Sequence, residues 1–393
     1  MAASVLDLGN PDTINEYESM ASIKPSLLLK GDRPRLIDEW QVIPQIWDSV
    51  RTDIDSSQGK PGQFILTGSV VVDRRKISHS GTGRIASVHM LPMSLYESRE
   101  SNGAISLKSL IEDHPDIDGI KSDLTVEHLF FAMCRGGWPN FWQFPSDKQA
   151  LATCYDYINE VCDYDISRID ERHRNPLWAR AILKALARNA STLAKDNTIF
   201  ADASSQGESF SRTTFYSYLN ILQRLFLVTD IPAWSPEIRS KTTIRSAPKR
   251  EFADPSLAVA AMNLTPEILM GDLNTAGFLF ENLCLRDIAV YSSPLGGILG
   301  YYHDRYGLEA DAVLRLANGN YALIECKLGS TKVQEGIAHL NKIETLVRNK
   351  NEELEKKELA LRLPSAKIVL YGGKTAYRAK DGVYVIPIGC LKD

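Results

Sequence analysis

The chain has 393 residues, with 45 Lys and Arg against 49 Asp and Glu and a formal net charge of −4. At roughly 100–200 residues per domain, this length predicts two or three domains, and an apolar content of 44% is sufficient for well-packed cores. The near balance of charge excludes a protein held on nucleic acid by bulk charge, so such binding would need a local basic patch. No apolar run approaches the about 18 residues of a membrane span, and the start has no secretory-signal pattern. We therefore expect a cytoplasmic protein with no membrane partner.

The cysteine pattern favours buried, reduced thiols. No two cysteines have C-x-x-C spacing, and several lie inside apolar runs such as FFAMCRG and LIECKLG. A disulfide framework or a zinc site is therefore not expected. The six residues are Cys134, Cys154, Cys162, Cys284, Cys326 and Cys390.

Three segments differ in their apolar patterns. Residues 1–100 contain the short apolar runs SVLDLG, RLIDEW, QFILTGS and ASVHMLPMS, which are typical of parallel strands buried on both faces. Residues 101–260 have apolar residues at helical spacing, with Pro and Gly between the runs. Residues 261–393 return to strands flanked by helices and include a hairpin pattern around an Asn-Gly pair. The sequence thus predicts an α/β protein of three domains with these bounds.

A pair of acids follows the second apolar run, because Asp38 and Glu39 come directly after RLI. In P-loop ATPases the first acid of such a pair holds magnesium and the second polarises the attacking water. The next run ends in Thr67, whose hydroxyl can sense a terminal phosphate, and Arg84 can place a guanidinium near phosphate charge. Taken alone, an Asp-Glu pair is also typical of a capped connection from a strand to a helix, so both interpretations stay open.

The stretch from SLLLKGDRPRLIDEWQVIPQIWDSVR through GKPGQFILTGS to SGTGRIASVHMLPMSLYES resembles prokaryotic AAA+-like ATPases with a C-terminal domain of restriction-endonuclease-like fold. The GGWP stretch and the helical block also resemble that family. The resemblance implies that Asp38 is the magnesium-side acid, Glu39 the catalytic base, Thr67 the sensor and Arg84 an arginine finger. Because AAA+ relatives often assemble as rings, it also implies a homo-oligomer in which Arg84 acts on a neighbouring copy.

No G-x-x-x-x-G-K-[ST] motif occurs in the chain, although the family places one before a strand like SVLDLG. That loop supplies the backbone N–H groups and the lysine that hold a triphosphate. We therefore expect a truncated P-loop sheet, ATP as a cofactor only if a preceding segment supplies the loop, and no ATP hydrolysis by the chain as it stands. A start codon placed too late and a degenerate paralogue both fit this pattern.

A basic segment follows two helices that resemble a winged-helix pair. The twelve residues 239–250 hold five cations and no acid, which is typical of a wing that contacts DNA phosphates. A solvated loop explains the same pattern equally well. The residues predicted to contact nucleic acid are Arg212, Arg239, Lys241, Arg245, Lys249 and Arg250.

The predicted hairpin carries a third set of functional residues. Asp311 lies on its first strand and Glu325-Cys326-Lys327 ends its second, so that Glu325 and Lys327 share one face. Two carboxylates there can hold Mg²⁺, and Lys327 can orient or deprotonate an attacking water. Glu281, on a predicted helix, can add a further carboxylate. This is the PD-(D/E)xK pattern of nuclease-like folds with Ala310 in place of the proline, although a surface hairpin with an ordinary Glu–Lys pair is the alternative.

Two functions therefore compete. The first is a nucleic-acid-acting protein with an incomplete AAA+-like part and a Mg²⁺-dependent nuclease-like centre, in which Asp311, Glu325, Glu281 and Asp38 are the metal ligands. The second is a non-enzymatic DNA- or protein-binding adaptor in which both centres are vestigial.

Overall fold

The computed structural model describes residues 2–57, 59–69, 81–144, 146–169, 173–207, 209–237, 246–353 and 360–393. The chain forms two compact units, one of Met1–Met90 with Arg224–Phe226 and one of Leu91–Gln223 with Leu227–Asp393. The helical segment and the C-terminal strands share the second unit, and its division into a middle and a C-terminal domain stays a prediction. In the described part of the chain, no helix is both long and apolar enough to cross a membrane.

The first unit contains a small parallel sheet. Its strands are β1 (Ser4–Asp7), β2 (Arg35–Asp38) and β3 (Phe64–Leu66), in that order, and its helices are α1 (Ile14–Ile23) and α2 (Gln45–Ser56). Each strand pairs in parallel with the next, so the carboxyl ends of all three meet at one edge. The prediction of parallel strands is confirmed for these three runs.

Two details of that prediction are wrong. The fourth run, ASVHMLPMS, forms no strand among the described residues, and Val88 and Met90 are each 84% exposed. The prediction that these strands are buried on both faces is also wrong, because Val5 and Ile65 are exposed while Leu6 and Ile37 are buried. The apolar runs are too short to show which face is covered. Among the described residues, the helices of this unit pack on the face that carries Leu6 and Ile37.

The second unit begins with helices. They are α3 (Leu107–Glu112), α4 (Val126–Arg135), α5 (Asp147–Glu160), α6 (Ile166–Arg168), α7 (Pro176–Arg188), α8 (Asp196–Ser204) and α9 (Arg212–Arg224). Polar side chains begin several of them: Thr125 Oγ1 accepts from the His128 N–H of α4, and Ser211 Oγ accepts from the Thr214 N–H of α9. The predicted helical character of this segment is confirmed.

A two-stranded antiparallel ribbon follows α9. It consists of β5 (Val228–Ile231) and β6 (Lys249–Phe252). Three further helices come next, α10 (Pro255–Ala261), α11 (Pro266–Gly271) and the long α12 (Leu273–Ser292). Asp272 caps α12 by accepting from the Asn274 and Thr275 N–H groups.

The C-terminal part is a six-stranded mixed sheet. Its strands are β7 (Ile298–His303), β8 (Glu309–Arg315), β9 (Tyr321–Lys327), β10 (Ala366–Tyr371), β11 (Tyr377–Arg378) and β12 (Tyr384–Pro387). Their order is β11-β12-β10-β9-β8-β7, with β10 parallel to both β9 and β12. The short strands β4 (Ile105–Ser106) and β13 (Leu391–Lys392) pair separately.

The predicted hairpin is β8 and β9. Gly319 has a φ of 82°, which explains why the Asn-Gly pair turns the chain there. The long helix α13 (Val333–Glu353) follows β9. Because Gly336 of α13 lies against Glu325 while Cys284 of α12 interacts with Cys326, the two long helices cover opposite faces of β9.

All six cysteines are buried and free, as the sequence predicts. Burial raises the pKa values of the Cys134, Cys154 and Cys162 thiols to about 12. These thiols are therefore protonated at neutral pH and pack as small apolar groups.

Leu340 of α13 tests the packing of this helix on the sheet. It is fully buried in a cluster with Leu323 and Val369, so Leu340→Ala should lower the free energy of unfolding by about 2–5 kcal/mol. Leu346 lies on the same helix and is 42% exposed, so Leu346→Ala should cost less than about 1 kcal/mol. Urea denaturation of both variants measures the difference, and equal losses would contradict the assigned packing.

Candidate functional site

Asp311 and Glu325 lie opposite each other where β8 and β9 separate. The last ladder pair is Ala312 with Ile324, so the next positions across the hairpin are these two acids. Asp311 Oδ2 accepts a hydrogen bond of 2.7 Å from the Cys326 N–H. A side chain thus satisfies the backbone group that the ladder leaves unpaired, and the bond fixes the Asp311 carboxylate beside Glu325.

Lys327 joins the two acids. Its Nζ contacts Glu325 Oε2 and lies 3.5 Å from Asp311 Oδ2. Gly336 makes room for this arrangement, because a Cβ there would lie 3.3 Å from Glu325 Cβ and 3.4 Å from Lys327 Cε. His339 Nδ1 lies 3.3 Å from Glu325 Oε1. The structure therefore brings Asp311, Glu325 and Lys327 together as the sequence predicts.

Glu281 approaches the same region from α12, but its partner is a lysine. Its Oε1 accepts from Lys249 Nζ at 2.6 Å, and the same ammonium donates to the Asp311 main-chain oxygen at 3.1 Å. Lys249 is 4% exposed and Glu281 8%. An ammonium thus stands beside Glu281 where the sequence predicts a metal.

Glu251 adds a fourth acid to the region. It is two residues after Lys249 on β6, so both side chains leave the same face of the strand. Its Oε2 accepts from Ser191 Oγ at 2.8 Å. Among the described residues, its buried Oε1 has no hydrogen-bond partner. Glu251 therefore lies on the same face of β6 as Lys249 and has one buried oxygen without a hydrogen bond among the described residues.

Burial and charge shift the pKa values of these groups in opposing ways. Burial is the largest effect on Glu325 and raises its pKa, and the nearby Asp311 charge raises it further. Burial alone would lower the pKa of Lys327, but the Asp311 and Glu325 charges outweigh it and raise that pKa above its ordinary value. The same balance, with Glu281 and Asp311, raises the pKa of Lys249. Both lysines are therefore protonated at neutral pH.

The acids at the hairpin do not by themselves form a complete metal site among the described residues. In the described residues, no three His, Cys, Asp or Glu side chains converge closely enough to hold a metal ion. Asp311 and Glu325 nevertheless present two buried carboxylates side by side, and Mg²⁺ in proteins is often held by one or two carboxylates with waters. Glu325 Oε2 is in contact with the Lys327 ammonium, so a cation bound by these carboxylates would share that oxygen with Lys327 or displace it.

The predicted nucleotide-side residues meet at the edge of the N-terminal sheet. Thr67 Oγ1 donates to Asp38 Oδ1, and the Thr67 N–H donates to the Ile37 carbonyl at 3.0 Å. Glu39 has a left-handed φ of 51°, uncommon for a residue other than glycine, and its Oε2 accepts from Gln41 Nε2. Asp38 and the Thr67 hydroxyl therefore meet at this edge, and Glu39 follows Asp38 with Gln41 as its partner.

Arg84 has a partner within its own unit. Its Nε lies 2.9 Å from Asp55 Oδ1, and this hydrogen bond is the main reason that the pKa of the exposed Asp55 carboxyl is lowered. The side chain is 48% exposed. Action of Arg84 on a neighbouring copy stays a prediction.

Two residues of the predicted basic wing need correction. Lys249 and Arg250 are buried on β6, and Arg250 contacts Asp196 Oδ1 at 2.6 Å and Asp230 Oδ1 at 3.3 Å. Cations that are buried and paired in this way do not belong to a solvated loop. Arg212 is exposed at the start of α9. The other predicted contacts, Arg239, Lys241 and Arg245, lie outside the described residues.

No sequence motif identifies the partners of Lys249. Glu281 is 32 residues away in sequence, and Glu251 has no motif of its own. The one signal was the alternation of Lys249 and Glu251, which places opposite charges on one face of a strand and favours an internal partner over solvent.

Three family models match successive parts of the chain. An AAA domain matches residues 4–98, a domain of unknown function (DUF8612) matches 126–268, and a second one (DUF4143) matches 276–391. Residues 4–98 are AAA-like. Asp38, Glu39 and Thr67 lie in that part, whereas Asp311 and Glu325 lie in the part that matches DUF4143.

The solved structure of the Walker-type ATPase PABY2304 of Pyrococcus abyssi is similar at 16% identity with a TM-score of 0.32. The similarity covers 58% of this chain and 62% of that one, so the chain spans less than two thirds of that protein. At that TM-score the similarity carries no argument about fold. No curated protein matches the chain.

The raised pKa of Glu251 predicts that replacing this acid stabilises the folded chain more at high pH than at low pH. Burial raises its folded-state pKa from 4.5 to about 7, so the folded chain keeps a proton that the unfolded chain releases between these values. The wild type therefore loses stability as pH rises through this window, whereas Glu251→Gln does not. The stability of the variant relative to wild type should rise by about 2–3 kcal/mol between pH 5 and pH 8.

Urea denaturation at the two pH values measures this difference. Glu335→Gln, at an exposed position of α13, controls for the loss of an acid as such. A Glu251→Gln difference that is equal at both pH values would contradict the assignment.

Proposed function

We propose that the chain is a nucleic-acid-associated protein that combines an AAA-like N-terminal domain with a Mg²⁺-dependent, nuclease-like C-terminal centre. One observation carries this proposal: Lys327 Nζ contacts both Asp311 and Glu325 at the open end of a hairpin. Two acids and a lysine on adjacent strands are the groups that a PD-(D/E)xK nuclease needs. The family models leave the function of this part open, and the support comes from the geometry of these side chains.

The reaction is hydrolysis of a phosphodiester. A water oxygen bonds to phosphorus, one ester P–O bond breaks, the water gives a proton to solvent and the leaving oxygen gains one. When bound, Mg²⁺ supplies a Lewis acid at the phosphate. Lys327 stays protonated because its pKa is raised, so it stabilises the negative charge that develops on the phosphate and is not the general base.

The nucleic-acid part of the proposal is supported by one exposed cation of the second unit, Arg212, and by three further cations of the sequence. Three helices followed by an antiparallel ribbon have the element order of a winged helix, and Arg212 is exposed at the start of the third of these helices. Arg239, Lys241 and Arg245 are the further cations of the sequence that remain for phosphate contacts.

Cleavage assays test the centre directly. Wild type should cleave single-stranded, duplex or branched DNA in the presence of Mg²⁺, and Asp311→Asn and Lys327→Ala should each slow cleavage about 100-fold or more. Lys332→Ala is the matched control, because Lys332 is an exposed lysine shortly after Lys327. Equal rates in all four proteins would remove the catalytic proposal.

Burial favours a second function, that of a non-enzymatic adaptor. Glu325 is fully buried and Asp311 is 4% exposed, so a phosphate reaches them only if the centre opens. An adaptor would bind nucleic acid in a salt-sensitive manner without turnover. Binding by wild type with no cleavage above Asp311→Asn would therefore favour this function.

For the AAA-like domain, we propose no ATP hydrolysis by this chain alone. Asp38, Glu39 and Thr67 form one side of a nucleotide site, but the sequence has no G-x-x-x-x-G-K-[ST] to hold the phosphates. Phosphate release from ATP by wild type should therefore equal that by Glu39→Gln. A wild-type rate that is clearly above the variant would show that the chain holds a triphosphate by other means.

A further inference from the structure

Lys249 is a buried cation that the proposed reaction does not use. Its ammonium lies between an oxygen of Glu281 at 2.6 Å and the main-chain oxygen of Asp311 at 3.1 Å. It reaches this position from β6, whereas its oxygen partners belong to α12 and β8. A buried lysine that joins three elements at the back of an acidic centre needs a physical explanation.

The surroundings of this ammonium are those of a hard metal ion. Carboxylate and main-chain carbonyl oxygens are the ligands that Mg²⁺ and Ca²⁺ take, and both kinds are present. A third oxygen, Glu251 Oε1, is buried and has no hydrogen-bond partner among the described residues. The Glu251 charge also acts on Lys249 and contributes to its raised pKa. A buried acid on the Lys249 face of β6 thus has one oxygen that no hydrogen bond satisfies among the described residues.

We propose that the Lys249 ammonium occupies the position of a divalent cation between Glu281 and Asp311. The wild-type centre then accepts an added cation at Asp311 and Glu325 only, since the second position is filled from within the chain. This inference deepens the proposed function and rests on it for the meaning of the centre, but its test measures cation binding and requires no cleavage.

Replacement of Lys249 tests the proposal. Lys249→Met keeps an apolar stem of similar length and removes the ammonium, so the full-length variant should bind one more Mn²⁺ per chain than wild type. Equilibrium dialysis against Mn²⁺, after treatment with a chelator, counts the bound ions. The double variant Lys249→Met with Glu281→Gln should return to the wild-type number, because it removes the carboxylate that would hold the extra ion.

Arg250→Met is the matched control. Arg250 is a buried cation on the same strand and pairs with Asp196 and Asp230, so its removal also leaves two carboxylates without their partner. Its Mn²⁺ count should equal that of wild type. The proposal is overturned if Lys249→Met binds no more Mn²⁺ than wild type, or if Arg250→Met gains the same extra ion.

Loss of a buried ammonium can also unfold the chain, and circular dichroism decides that case. If Lys249→Met is unfolded without metal, its refolding in millimolar Mn²⁺ supports the proposal, and failure to refold overturns it. A wild type that cleaves no DNA bears on the proposed function alone, because the difference in Mn²⁺ count between wild type and variant stands without turnover.

Discussion

The contact of the Lys327 ammonium with Asp311 and Glu325 compensates two carboxylates that the sheet has removed from water. Removal of one partner from a buried pair typically costs about 3–5 kcal/mol, because the remaining charge is left without compensation. The acids lie at the end of a hairpin whose ladder stops one residue pair earlier, so charge compensation replaces backbone pairing there. Any chemistry at this end of the sheet must therefore begin from an arrangement that already satisfies its own charges.

This constraint also explains the contacts among distant elements. Lys249 comes from the ribbon, Glu281 from α12, and Gly336 leaves space on α13 beside Glu325 and Lys327. An ion pair is effective only at short distance, so the ribbon, both long helices and the hairpin must meet in one arrangement. The helical segment and the C-terminal sheet accordingly share one compact unit. In the AAA-like unit no such set of ion pairs is needed to bring Asp38 and Thr67 together, because they end neighbouring parallel strands at one edge of the sheet.

The sequence predicted what depends on local geometry. Strand alternation and an Asn-Gly turn were sufficient to place Asp311, Glu325 and Lys327 together, because the hairpin is built within 20 residues of sequence. The surroundings of Lys249 and Arg250 could not be found in this way. Their segment has five cations and no acid, which is typical of a solvated loop. The acids that pair with Lys249 and Arg250 belong to other elements, so the segment itself does not show that the two cations are buried. The predicted strand at ASVHMLPMS was wrong for a related reason, because the strand propensity of a segment does not show whether a partner strand lies beside it.

Anomalous diffraction from crystals of the wild-type chain grown with Mn²⁺ tests the central claim most directly. We expect one anomalous peak in contact with the carboxylates of both Asp311 and Glu325, and none against Glu281, where the Lys249 ammonium lies. The absence of a peak beside Asp311 and Glu325, or a peak between Glu281 and the Asp311 carbonyl with Lys249 displaced, would contradict it.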